Sequence, residues 1–250
     1  MPDLSIIILT WNQKEATLRC LRSLESTLDL IDAEIIIVDN ESTDGTIEAI
    51  ARLMPNVKTI VNNANEGVAK ARNQGISAAS GKYILILDND TIANHSAIEA
   101  LMSHLDSHPL TGVAACKLIG IDGKCQRSLL PYPGLRIKIA NVLGLNIKQK
   151  PFLPDIDGVL HPDYVIGACQ MIPRRLFEKI GLLDQNIFYG PEDADFCLRA
   201  YDAGYTIDYL PYCSIQHLHR RSTTHHIFSA LARKHMAAMW YFYRKHNRWL

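Results

Sequence analysis

The chain has 250 residues, 48% of them hydrophobic and 21% charged, which suits one sizeable α/β domain or two small ones with a buried core. Intrinsic disorder and collagen-like character are excluded by that composition, and overall neutrality argues against a nucleic-acid partner. The neutrality hides an asymmetry: all 26 acidic residues lie at or before Asp208, whereas Arg220, Arg221, Arg233, Lys234, Arg244, Lys245 and Arg248 follow it, so the first 208 residues carry −7 and the last 42 carry +7.

Short aliphatic runs alternate with helical patterns. Residues 4–9 form a continuous aliphatic strand of the kind buried on both faces, and 14–28 place Ala16, Leu18, Leu21 and Leu24 at near-helical spacing. The spacing then predicts strands at 34–38, 57–61, 83–87 and 112–116, with helices at 46–53, 67–79 and 96–105 between them. Such alternation implies parallel pairing in a doubly wound sheet, whose ligands bind beyond the carboxyl ends of the strands. The polar pairs Trp11-Asn12, Asp39-Asn40 and Asn62-Asn63 and the triplet Asp88-Asn89-Asp90 stand at those ends and are expected to converge on one edge.

Residues 120–163 are broken by five prolines and read as a long lid-like loop with a short helix near 137–143. A strand-like run at 164–172 follows, then helices at 174–180 and 192–203 and a strand at 206–210. Six cysteines without a CxxC pair read as reduced thiols of a cytosolic protein. No basic flank and cleavage site of a signal peptide precedes residue 4, and no apolar run approaches the roughly 20 residues of a membrane span.

Asp88-Asn89-Asp90 can turn two carboxylates into one cavity to share a hard divalent cation; a polar turn capping the next helix is the plainer alternative. Arg72 is placed for bidentate contact with a diphosphate, or is an ordinary solvated helix residue. Glu192-Asp193-Ala194-Asp195 crowds carboxylates into a first helical turn, where the macrodipole favours them and mutual repulsion raises one pKa toward a general base. His217 and His219 point the same way if they lie on a strand, which suits a ligand. No GxGxxG, Walker or GxSxG motif is present.

Taken in order, these segments resemble the inverting glycosyltransferases of family 2, with the α/β GT-A fold: a Rossmann-like, mostly parallel central sheet flanked by helices. The resemblance rests on SIIILTWN at 5–12, IIVDNESTDGT at 36–46, NEGVAKARNQG at 65–75, LILDND at 85–90, IGAC at 166–169, RRLF at 174–177, PEDADFCLR at 191–199 and HLHRRS at 217–222. The second half is most similar to the bacterial rhamnosyltransferase-like subgroup that builds surface polysaccharides. The resemblance implies a nucleotide-sugar donor held by Thr10, Trp11, Asp39, Arg72, Asp88 and Asn89. It implies Mg²⁺ or Mn²⁺ on Asp90, Asp88 and His217. Asp193, paired with Glu192, is then the catalytic base toward a hydroxyl of a saccharide or lipid-linked saccharide acceptor. Two departures stand out: Asn89 where many relatives carry Asp, and Pro191 immediately before the acidic pair.

The domain expected is 1–225, with a nucleotide-sugar-binding half at 1–116 and an acceptor-binding half at 117–225. Residues 226–250 form an amphipathic basic helix carrying Phe228, Leu231, Ala232, Met239, Phe242 and Tyr243 on one side and Arg233, Lys234, Arg244, Lys245 and Arg248 on the other. That helix packs on its own domain, lies on an anionic membrane surface, or makes a homodimer contact. The expected location is the cytoplasm, with a peripheral foothold on the inner face of its membrane. Two rival readings remain open at this stage: a nucleotidyltransferase, and a catalytically inactive nucleotide-sugar-binding module.

Overall fold

A computed structural model describes residues 2–28, 30–134, 158–218 and 230–247. Its centre is a nine-stranded sheet with the order β3-β2-β1-β4-β10-β6-β11-β5, and β7 also pairs with β6. The first half is wound as predicted: β1 (Leu4–Thr10), α1 (Lys14–Thr27), β2 (Ala33–Asp39), α2 (Thr46–Leu53), β3 (Lys58–Val61), α3 (Val68–Ala78) and β4 (Tyr83–Asp88), with β3, β2, β1 and β4 all parallel. The aliphatic runs of β1, β2 and β4 are buried on both faces, whereas β3 at the edge is only partly covered. Leu4, Ile6, Ile8, Leu85 and Leu87 pack toward α1, whereas Ile7, Ile36, Ile84 and Ile86 pack toward α3 on the other side. Gly75 of α3 lies so close to Ile7 and Val38 that a Cβ there would collide with them.

β5 (Thr91–Ile92) and α4 (His95–Ser107) follow, α4 being capped by the Asn94 side chain, which accepts from Ala97 N at 2.9 Å. β6 (Thr111–Ile119) then joins the sheet, but not beside β4. The antiparallel β10 (Cys169–Pro173) inserts between them, so the strands on either side of residue 116 share one sheet.

The predicted strand at 164–172 divides in two. β9 (Tyr164–Val165) pairs with β8 (Leu129–Leu130) in a separate ribbon, and the chain turns at Ile166-Gly167-Ala168 before β10. In that turn Gly167 O accepts from Arg72, while Ala168 O accepts from Asp88 N at the end of β4.

The expected loop is also more ordered at its start, where β7 (Cys125–Gln126) folds back on the end of β6. The short helix expected at 137–143 lies outside the described residues. After α5 (Arg174–Ile180) and α6 (Glu192–Asp202), β11 (Thr206–His217) runs seven residues beyond the predicted strand end at 210. It does so across a register shift between Leu210 and Ser214, where Pro211 cannot donate to the ladder. That extension is what carries His217 to the edge where β4 ends.

α7 (Ala230–His246) docks on α6, burying Ala238, Met239, Phe242 and Tyr243 against Ala194 and Leu198. Of the expected apolar and basic faces, Phe228 and Arg248 lie outside the described residues. Lys245, on the expected basic side, bridges Asp184 and Asp195 at 2.6 and 2.7 Å. Among the described residues, no helix is long and apolar enough to cross a membrane.

Candidate active site

The carboxyl ends of β1 and β4, the turn before β10, the N-terminus of α6 and the end of β11 enclose a cavity of about 470 Å³. Thr10, Trp11, Arg72, Asp88, Asn89, Asp90, Glu192, Asp193 and His217 all line it. Asp39 does not; it lies fully buried at the end of β2, where one carboxylate oxygen accepts from Ser42 N at 2.8 Å and the other has no partner. An orphaned buried oxygen is costly unless a ligand N–H or hydroxyl reaches it.

The metal candidates converge. One ligand atom from each of Asp88, Asp90 and His217 lies within 4.8 Å of the others, and His217 Nε2 is 3.3 Å from Asp90 Oδ1. Two carboxylates and an imidazole form a donor set that fits a hard or borderline divalent cation. Desolvation raises the Asp88 carboxyl above its ordinary value; the Arg72 charge draws it back and Asp90 pushes it up again.

Arg72 lines the cavity and is also held by the protein itself. It is only 6% exposed and is engaged on three sides: Nη2 donates to Asp88 Oδ1 at 2.7 Å and to Gly167 O at 3.0 Å, and Nη1 to Glu192 Oε1 at 3.3 Å. It thereby ties the metal pole of the cavity to the acidic pair. A Cβ at Gly167 would run into its guanidinium, so the turn before β10 needs glycine for a close approach.

Asn89, the departure from the aspartate pattern, turns into the fold. Its amide donates to Thr17 Oγ1 at 2.9 Å and Thr10 Oγ1 at 3.3 Å, joining β4 to β1 and α1. Trp11 is half-exposed at the rim, at 52%.

Lining the same cavity as the candidate metal triangle, Asp193 stands at the start of α6. Its Oδ1 accepts from Ala194 N at 2.7 Å, and burial, followed by the neighbouring Glu192 charge, pushes its pKa up to about 7. Glu192 accepts from Arg72 through one oxygen while the other is buried without a partner. Pro191 does not displace the pair, which faces the cavity together with Tyr189 and Gly190.

One residue of this neighbourhood carries no sequence signal: Gln126, which grips His217 from 91 positions away and lies in no local motif. Gly167 and Asp195 stand within the motif segments, but their roles do not show there: Gly167 receives Arg72, and Asp195 is fully buried between Arg199, Lys245 and His246.

A cavity lined both by a cation-ready triangle and by a carboxyl raised toward neutrality can hold a phosphorylated donor and deprotonate a hydroxyl. Residues 5–181 match the family described as Glycosyl transferase family 2. The chain belongs to glycosyl transferase family 2. It is a glycosyltransferase, and the matched segment stops short of Glu192, Asp193 and His217.

Among curated relatives, this family 2 enzyme is similar to the N-acetylglucosaminyl-diphospho-decaprenol L-rhamnosyltransferase of Mycobacterium tuberculosis. The identity is 25% over 98% of this chain and 86% of that protein. It is similar also to the dTDP-rhamnosyl transferase RfbF of Shigella flexneri, 24% identical over 84% of this chain and 67% of the relative.

Among solved structures, residues 1–349 of TarS from S. aureus superpose with a TM-score of 0.64 at 20% identity, covering 86% of this chain and 60% of that one. The mannosyltransferase PcManGT of Pyrobaculum calidifontis, solved with GDP-Man and Mn²⁺, gives 0.63 at 19% identity, covering 88% and 58%. These likenesses establish the GT-A fold, and this chain spans about 60% of the lengths of those solved chains.

Proposed function

We propose that this glycosyltransferase moves a sugar, with inversion and with a divalent cation, from a nucleotide-sugar donor to a hydroxyl of a glycan or lipid-linked saccharide acceptor in surface-polysaccharide synthesis. The observation that carries the reading is the presence, in one cavity, of the Asp88–Asp90–His217 triangle and the raised Asp193 carboxyl. The two rhamnosyltransferase relatives favour a deoxyhexose donor on a nucleoside diphosphate.

Asp88, Asp90 and His217 Nε2 would hold Mg²⁺ or Mn²⁺, which when bound neutralises charge growing on a leaving diphosphate. Asp39, with its orphaned oxygen, suits a base N–H or ribose hydroxyl, and Trp11 and Thr10 wall that side of the cavity. Arg72 keeps Asp88 and Glu192 apart and aimed. Asp193 takes the acceptor proton as the hydroxyl attacks the anomeric carbon from the face opposite the leaving group.

Screening nucleotide sugars for cation-dependent hydrolysis tests this directly. Consumption of a dTDP-deoxyhexose that is lost in Asp90→Ala is expected; a donor consumed equally without added cation, and by that variant, would refute the metal assignment. The same screen would expose a catalytically inactive module, which would bind a donor without consuming it. A nucleotidyltransferase is set aside by the family assignment.

A peripheral membrane foothold would now have to use the outer side of α7. Met236 and Trp240 are exposed there among the exposed Arg233, Lys234 and Arg244, while Met239, Phe242 and Tyr243 are spent on α6. Co-sedimentation with anionic vesicles that is unchanged in Trp240→Ser/Met236→Ser would remove it.

A further inference from the structure

His217 offers two ring nitrogens, and only one faces the carboxylates. Nε2 is 3.3 Å from Asp90 Oδ1, whereas Nδ1 is 2.6 Å from Gln126 Oε1. The other end of the same amide, Gln126 Nε2, donates to the backbone carbonyl of His217 at 2.9 Å. A carbonyl can only accept, so the amide nitrogen must lie at that end and the amide oxygen must face the ring. An amide oxygen in turn can only accept, so Nδ1 carries a proton. In the neutral imidazole this leaves the Nε2 lone pair directed at Asp90 and Asp88.

The placement comes from the fold and from no motif. Gln126 sits in β7, paired antiparallel with the end of β6, its partner there being Leu118. The turn joining them is closed by Gly123 N donating to Gly120 O at 2.9 Å, with Gly123 at φ +74. His217 ends the β11 extension that lies parallel to the same strand. The two residues are 91 positions apart.

We propose that Gln126 is a positioning residue of the cation site: it selects the His217 tautomer and aims Nε2 at the position shared with Asp88 and Asp90. This rests on the metal reading above and adds to it the residue that prepares the third ligand. Outer partners of this kind change metal affinity by about 10–100-fold when removed.

The test is Mn²⁺ binding to the full-length protein without donor, by calorimetry or electron paramagnetic resonance, alongside ¹⁵N chemical shifts of the His217 ring. Gln126→Leu should weaken Mn²⁺ binding by about 10–100-fold, with the ring shifts moving from a single Nδ1–H tautomer to a mixture. Gln126→Glu, which still accepts from Nδ1–H, should keep affinity within a few-fold of the parent and serves as the rescue. Should Gln126→Leu fail to fold, Gln126→Asn, an amide drawn back by one methylene, should show the same direction of change.

A folded variant with lower thermal stability but parental Mn²⁺ affinity and ring shifts would overturn the proposal while leaving the metal site intact. A parent that binds Mn²⁺ no better than Asp90→Ala would instead bring down the metal reading itself, and this inference with it.

Discussion

Asp193 has an ordinary carboxyl pKa near 3.8, and burial together with Glu192 lifts it to about 7 in the fold. Two consequences have opposite signs. As the proposed base it must be ionised, so kcat/KM should rise with pH through about 7 and level off above it. Because the folded state binds this proton more tightly than the unfolded chain, the shift removes stability as pH rises from about 4 to 7. Asp193→Asn therefore should lose transfer by about 10²–10⁴-fold yet melt higher than the parent at pH 8, with donor binding unchanged. Retained turnover, or a lower melting temperature at that pH, would count against the assignment. Arg72 and Asn89 qualify what the motifs implied at this scale. Both lie in the expected cavity, but the first is engaged by Asp88, Gly167 and Glu192 and the second by two threonines. Arg72 spaces the Asp88 and Glu192 carboxylates, while Asn89 joins β4 to β1 and α1.

At the scale of elements, the helix carrying the base is clamped from outside. α7 buries Met239, Phe242 and Tyr243 against α6, and its Lys245 and His246 both reach Asp195, two residues after Asp193. Lys245 also bonds Asp184, as does Tyr241. Burial by itself would raise Asp184, but the bonds from Lys245, Asn186 N and Tyr241 prevail and hold it down at about 2. A depressed carboxyl contributes stability that is complete above its unfolded value, near 3.8, and fades as pH falls toward about 2. Amide exchange in α7 should accordingly accelerate between pH 4 and pH 2, and Asp184→Asn should show fast exchange already at pH 5. An α7 whose protection is the same at pH 5 in both forms would show that apolar packing alone holds the helix. The amphipathic pattern of this helix was legible in the sequence, whereas its docking partner was not, because any apolar groove of the right length satisfies such a face.

At the scale of the whole molecule, the cation triangle joins positions 88, 90 and 217, so only the folded chain has it. Binding to the folded state alone adds RT ln(1 + [L]/Kd), about 2.7 kcal/mol at a hundredfold excess over Kd. Mn²⁺ should therefore raise the melting temperature of the parent and not of Asp90→Ala, and a chelator should return the parent to its metal-free value; equal shifts in both would place the ion elsewhere. By itself the sequence determined the parallel half of the sheet. Residues 6–9, 35–38 and 84–87 are aliphatic without a break, so those strands must be covered on both faces, and covered strands joined by helices pair in parallel. It marked too the polar strand ends and the acidic start of α6 as the candidates for chemistry. Tertiary structure decided the rest. The insertion of β10 between β4 and β6, the run of β11 past its bulge to His217, the grip of Gln126 and the three-sided seat of Arg72 depend on partners up to 120 positions apart. Periodicity and local motifs register only what a residue does to its near neighbours along the chain, while distances across a cavity exist only once the sheet has closed around it.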